Sequence, residues 1–212
     1  MFNICRRCGQ YRADKEIDPR GPYAVCPECG ERQPFRQLPL LLIYGPSGGG
    51  KTAALRALLG KVTAAVLLEG DLLWRPEFNQ PENNYRDFYE TWLRMAKNIN
   101  QSDRPVALFN AGAIPPNVEP CVERRYFSET HYLALVCDDD VLQARLRARP
   151  SWRESADPAF LEANVGFNQW LKENGPGASP PITLLDTTLV TELETTTGTA
   201  RWIREKARIT DH

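Results

Sequence analysis

From Leu38 onward the chain alternates short apolar runs with segments whose apolar residues recur every three or four positions. The uninterrupted runs, bounded by turn residues, predict buried strands at 39–44, 64–69, 106–110, 132–137 and 182–185. The segments between them predict helices with recognisable ends. One runs over 51–59 and stops at Gly60, a residue that readily takes the left-handed conformation of a helix terminus. In "NNYRDFYETWLRMAKNI", Tyr85, Phe88, Tyr89, Trp92, Ala96 and Ile99 share one face, which must be buried. Asp138 is placed to cap a helix ending before Pro150, and Asp157 followed by Pro158 opens the next. The capping box "TELE" at 191–194 starts a last helix, although 195–198 is poor helix sequence. Strand and helix alternate, which predicts an α/β fold with a parallel sheet covered on both faces.

Residues 1–37 differ: Cys, Arg, Gly and Pro are frequent and no long apolar periodicity runs through them. Two domains are therefore expected, 1–37 and 38–212. "NGPGASPP", 174–181, reads as a flexible connection. With 42% apolar and 25% charged residues among 212, the composition is that of a globular protein. The longest apolar run, 38–44, is too short to span a bilayer. The first residues, "MFNICRRCGQYR", have no apolar signal region, and the paired cysteines suit a reducing compartment, so a cytoplasmic protein is expected. A net charge of -1 gives no global field to hold a polyanion.

The first of these strands runs into "GPSGGGKT": Gly45, Pro46, Ser47, Gly48, Gly49, Gly50, Lys51 and Thr52 satisfy G-x-x-x-x-G-K-[ST] between a strand and a helix. Glycines let the backbone bend tightly and turn its N–H groups onto phosphates, and the helix N-terminus adds its dipole. Lys51 is expected on the β- and γ-phosphates and the Thr52 hydroxyl on Mg²⁺. The second strand ends in "EGDLLW", which puts Asp71, or second Glu69, on the rim where α/β sheets bind ligands. Asp71 is the candidate general base for an attacking hydroxyl; the plainer reading makes it a turn cap. The third strand ends in Asn110, where hydrolysing P-loop proteins carry an acid. "VLQARLRARPSWR" places Arg145 and Arg149 one turn apart, with Arg153 beyond the break at Pro150. These three suit a lid that neutralises a transferring phosphoryl group, or else a solvated basic face.

Together "GPSGGGKT", "EGDLLW", "RLRARPSWR" and the terminal "LLDTT" resemble the small P-loop kinases, the branch with nucleoside and nucleotide kinases, gluconate-type kinases and chloramphenicol phosphotransferase. The run through "PENNYRDFYETWLRMAKNI" to "CVERRYFS" is similar to AAA-family ATP-binding proteins described as nucleoside kinase-like. The resemblance spans about residues 38–210. It implies a P-loop NTPase three-layer sandwich with a five-stranded parallel sheet of order 2-3-1-4-5 and a mobile lid around 145–155. It also implies ATP with Mg²⁺ as donor and Asp71 as base, with Asp186 and Thr187 near the adenine. Asn110 departs from the pattern and weakens direct Mg²⁺ ligation by a carboxylate. Trp74, Tyr85, Arg86 and Phe88 line an acceptor pocket or, as an aromatic stripe at helical spacing, belong to the core.

Cys5-x-x-Cys8 and Cys26-x-x-Cys29 enclose positions 9–25, a C-x₂-C-x₁₇-C-x₂-C spacing within the range of a tetrahedral Cys₄ zinc site. A closed set of four thiolates is structural, and a module this small needs the metal to fold. Its arginines, Arg6, Arg7, Arg12, Arg20, Arg32 and Arg36, are nearly balanced by Asp14, Glu16, Asp18, Glu28 and Glu31. The expected function is transfer of the ATP γ-phosphate to a hydroxyl of a small, nucleoside-like acceptor. The rivals are a polynucleotide 5′-kinase that holds its strand with the ribbon, and an ATP-dependent switch in a protein complex.

Overall fold

A computed structural model describes residues 3–208. The ends of both expected domains, 1–2 and 209–212, lie outside the described residues. The central sheet has five parallel strands, β4 (Leu40–Tyr44), β5 (Val66–Glu69), β6 (Val106–Phe109), β7 (Thr130–Val136) and β8 (Ile182–Asp186), in the order β5-β6-β4-β7-β8. Counted within this sheet, that is 2-3-1-4-5. The register sets Leu40 against Val106 on one side and Thr130 on the other, so β4 is the middle strand and the phosphate-binding sequence leaves its carboxyl end.

Along β4 successive side chains face opposite ways, as the strand period demands. Leu40, Leu42 and Tyr44 join Phe88, Tyr89 and Trp92 of α2 (Arg86–Asn100) and Leu171 of α5 (Pro158–Asn174) in one core. Leu41 and Ile43 join Leu55 and Leu58 of α1 (Lys51–Leu58) and Trp202 and Ile203 of α6 (Glu192–Lys206) in the other. Both faces are covered, so every residue of β4 is buried. This is the three-layer sandwich expected from the alternation of elements. Among the described residues no helix is long and apolar enough to cross a membrane.

Of the N-caps expected from the sequence, Asp157 and Thr191 form and Asp138 does not. Asp157 accepts from the Phe160 N–H at 3.0 Å, and Thr191 and Glu194 form the reciprocal capping box. The helix continues through the threonine-rich 195–198 because Thr195, Thr196 and Thr199 are buried in it, and Thr199 Oγ1 donates back to the Thr195 carbonyl. Asp138 sits at the N-cap of α4 (Asp139–Arg147), but its side chain makes no capping bond; its own N–H instead donates to Thr188 Oγ1 at 2.9 Å.

Residues 3–36 carry a separate antiparallel sheet, β1 (Glu16–Asp18), β2 (Tyr23–Val25) and β3 (Arg32–Pro34). It docks on a short turn, Val122–Tyr126, and on α2. The Tyr126 hydroxyl donates to the Ala13 carbonyl at 2.6 Å and accepts from the Lys15 N–H, while its ring meets Phe35 edge to face. Beside it Lys97, Glu123 and Asn3 form a hydrogen-bonded group almost closed to solvent.

Candidate active site and metal centre

The segment 45–50 must turn from a buried strand into a helix within a few residues. At Gly45 the backbone has φ +141°, and a Cβ there would lie 2.3 Å from the Leu135 carbonyl oxygen, so only glycine fits. The loop then wraps a cleft of about 430 Å³. Ser47, Gly48, Gly49, Gly50, Lys51 and Thr52 line one side of this cleft; Gly45 and Pro46 lie behind it. Lys51 Nζ donates to the carbonyls of Gly45 at 2.6 Å and Pro46 at 2.9 Å. Burial draws this ammonium down to about 8, with Asp71 opposing the shift and Arg149 adding to it.

Asp71 lies in a 3₁₀ turn, Gly70–Leu73, directly after β5. Trp92 Nε1 donates to the Gly70 carbonyl at 3.0 Å, so the turn is anchored to α2. Glu69, Asp71 and Asn110 line the same cleft. Asn110 is buried, accepts from the Gly112 N–H at 3.0 Å, and packs so closely on Gly70 that a Cβ there would meet its Nδ2 at 2.2 Å. It shapes the wall where an acid was the alternative.

Arg145, Arg149 and Arg153 all face the cleft, but not as equals. Arg145 is engaged by Thr187, donating to its Oγ1 at 2.9 Å and its carbonyl at 2.6 Å. Arg149 and Arg153 have no carboxylate partner among the described residues, and burial followed by Arg153 itself works against the charge on Arg149. Two adjacent guanidinium groups held without counterions mark a place for an anion. Arg145 is thus engaged by Thr187, whereas Arg153 lies over the Trp152 ring at 4.9 Å. Thr187 is buried and lines the cleft, whereas Asp186 stands outside it, its carboxylate accepting from the Thr188 N–H and hydroxyl.

Of the acceptor candidates, Phe88 is core and Arg86 donates to the Pro120 carbonyl. Tyr85 is half-buried. Trp74 remains 44% exposed, its ring edge-on to Phe88 at 5.2 Å. Glu192, Val190 and Thr195, at the start of α6, also line the cleft, and no sequence motif points to them.

The cysteine pairs form two matching knuckles. In one the Cys5 N–H donates to the Gln10 carbonyl and the Gly9 N–H to that of Cys5; in the other Cys26, Glu31 and Gly30 repeat the pattern. Gly9 and Gly30 have φ +73° and +71°, which turns each loop back on itself. Cys5 Sγ lies 3.6 Å from Cys29 Sγ and Cys8 Sγ 3.8 Å from Cys26 Sγ, and all four sulfurs lie within 4.8 Å of one another. Four thiolates at 2.3 Å around a tetrahedral ion stand about 3.8 Å apart, so the group is compatible with zinc. The Cys8 backbone N–H, foremost, pulls the Cys5 thiol down, while against the pull of the Glu31 backbone N–H, burial and the contacts with the other three sulfurs push Cys29 up, so Cys5 is the thiol of the group that ionises first.

A phosphate loop after the middle strand, a 2-3-1-4-5 sheet and an arginine-bearing crossing beyond the fourth strand define the P-loop kinase fold. Solved structures of that fold superpose on the chain. An unliganded sugar kinase from Janibacter sp. HTCC2649 is 14% identical with a TM-score of 0.57, the match covering 80% of this chain and 95% of that one. A gluconokinase from Sinorhizobium meliloti 1021 is 16% identical with a TM-score of 0.54, covering 81% and 95%. A thymidylate kinase from Candida albicans is 14% identical with a TM-score of 0.51, covering 83% and 96%. At such identities the likeness is one of fold. No protein-family model matches the sequence, and no curated protein matches it.

Proposed function

We propose that the protein is an ATP-dependent phosphotransferase acting on a hydroxyl of a small, nucleoside-like acceptor. The observation that carries this reading is the single cleft shared by the phosphate loop, the Asp71 carboxylate and two arginines without counterions. The loop N–H groups and Lys51 hold the β- and γ-phosphates, and Thr52 supplies an oxygen to Mg²⁺, which screens phosphate charge when bound. Asp71 takes the proton of the attacking hydroxyl, with Glu69 as the neighbouring acid. Arg149 and Arg153 move onto the transferring group, while Arg145 and Thr187 hold the base end of the nucleotide. Incubation with γ-labelled ATP and a set of alcohols tests this: label recovered on the acceptor supports it, and label recovered only as inorganic phosphate contradicts it.

Residues 1–37 are proposed as a zinc ribbon and 38–212 as the kinase body with its lid at 145–155. The polynucleotide alternative loses support from the ribbon's own charges. Arg6 pairs with Glu31, Arg12 with Asp14 and Glu28, Arg20 and Arg32 with Asp18, and Arg36 with Asp103, while Arg7 donates to the Cys29 carbonyl. Exposed pairs contribute little stability, but they leave few free cations for a phosphate backbone. Elemental analysis is expected to give one zinc per chain, lost in Cys26→Ser; a full zinc content in that variant would rule out the four-thiolate site.

The lowered Lys51 gives a pH dependence. Only the ammonium form attracts phosphate, and its fraction falls as pH rises through about 8, so affinity for the nucleotide is flat below and declines above. Between pH 7 and pH 9 the dissociation constant is expected to rise roughly tenfold, and in Lys51→Arg to stay level. A flat profile for the unaltered chain would contradict the assignment.

A further inference from the structure

The phosphate loop is held from outside by a residue that no motif marks. Asn164 lies on α5, the helix by which the chain returns from the lid. Its Oδ1 accepts from the Ser47 N–H at 2.7 Å, and its Nδ2 donates to the Phe160 carbonyl at 2.8 Å. The second bond fixes which end of the amide faces the loop. Next to it Leu142, Leu146 and Leu161 form a small core with Cys137, and a Cβ on Gly48 would lie 3.1 Å from Leu142 and 3.3 Å from Leu146. The loop backbone therefore rests on the two helices that flank the lid. Ser155, in the segment between them, ties that segment to the end of α4 through a buried bond from its Oγ to the Leu146 carbonyl at 3.1 Å.

We infer that Asn164 is a positioning residue for the phosphate loop. By taking the Ser47 N–H it fixes the Pro46–Ser47 peptide at the start of the glycine run, so that the N–H groups after it converge on one phosphate. The same bond fastens the base of the lid to the loop, so Arg149 and Arg153 are carried on a frame registered to the nucleotide. A loop free to rotate at Ser47 must lose that freedom on binding, which weakens affinity without any direct contact being removed. The inference rests on the nucleotide reading of the cleft.

The test is calorimetric titration of a non-hydrolysable ATP analogue with Mg²⁺ into the full chain, alongside thermal midpoints without nucleotide. Asn164→Ala is expected to weaken binding about tenfold while the nucleotide-free midpoint moves by no more than about 3 °C. Asn164→Asp keeps the accepting oxygen but adds a charge near the phosphates. Its deficit is expected to shrink as salt rises from 0.05 to about 0.5 M, whereas that of Asn164→Ala persists. Equal binding by the unaltered chain and Asn164→Ala overturns the inference alone. A steep fall in the nucleotide-free midpoint with no salt recovery in Asn164→Asp also overturns it, as the mark of a residue needed only to fold α5. No binding by the unaltered chain overturns the nucleotide reading itself.

Discussion

Asp71→Asn is expected to lower phosphoryl transfer by about a hundred- to ten-thousandfold, with the dissociation constant for Mg²⁺–ATP changed less than about threefold. Asparagine has the same shape and would keep the turn after β5, which is anchored by Trp92 rather than by the Asp71 side chain. What it cannot do is take a proton. Asp71 lines the same cleft as the phosphate loop and lies close enough to Lys51 to support its charge. Glu69→Gln removes a carboxylate from the same cleft and should cost less. Single-turnover measurements with the preferred acceptor separate the two; full transfer by Asp71→Asn would remove Asp71 from the mechanism.

The second large effect is on stability. Glu123 and Lys97 are closed to solvent, and the Glu123 carboxylate accepts from Lys97, from Arg94 at 3.0 Å and from Asn3 at 3.2 Å. Burial draws Lys97 down to about 8, with Glu123 opposing the shift. Glu123→Ala takes the carboxylate from two cations and should cost about 3–5 kcal/mol, lowering the thermal midpoint by about 10 °C. Glu123→Gln keeps part of the hydrogen bonding and should cost less. A shift below about 2 °C in Glu123→Ala would mean that water enters the group and that the ribbon is not fastened there. Because α2 also carries Trp92, which anchors the turn bearing Asp71, the docking of the ribbon reaches toward the active site through one helix.

Signals carried within a few residues were legible in the sequence. The glycines and Lys51, the capping box at Thr191 and the two cysteine pairs each state their own geometry, and the apolar runs gave all five central strands because a parallel sheet is buried on both faces. Among the aromatic candidates, Phe88 of α2 lies in the core, while Trp74, just after the turn Gly70–Leu73, is partly exposed and packs on Phe88. What stayed hidden depends on partners far along the chain. Asn164 and Ser47 are 117 positions apart, and an asparagine in mid-helix carries no mark of a distant bond. The engagement of Arg145 by Thr187 divides a cluster that looked uniform in the sequence. Lys97 and Glu123 carry no local mark of burial in the sequence, and both are bonded to Asn3, 94 and 120 positions away. Asp138 shows the opposite limit: its position at the helix start was right, but its side chain makes no capping bond, and its own N–H is held by the distant Thr188 hydroxyl.

The most direct test of the account is ADP formation by the purified chain against nucleosides, sugars, other small alcohols and 5′-hydroxyl oligonucleotides, with Lys51→Ala as the control. The account predicts that one class of small hydroxylated acceptor, nucleosides foremost, raises turnover far above the acceptor-free rate, and that Lys51→Ala does not respond. A slow rate that is the same whatever is added would contradict it and make water the recipient of the γ-phosphate.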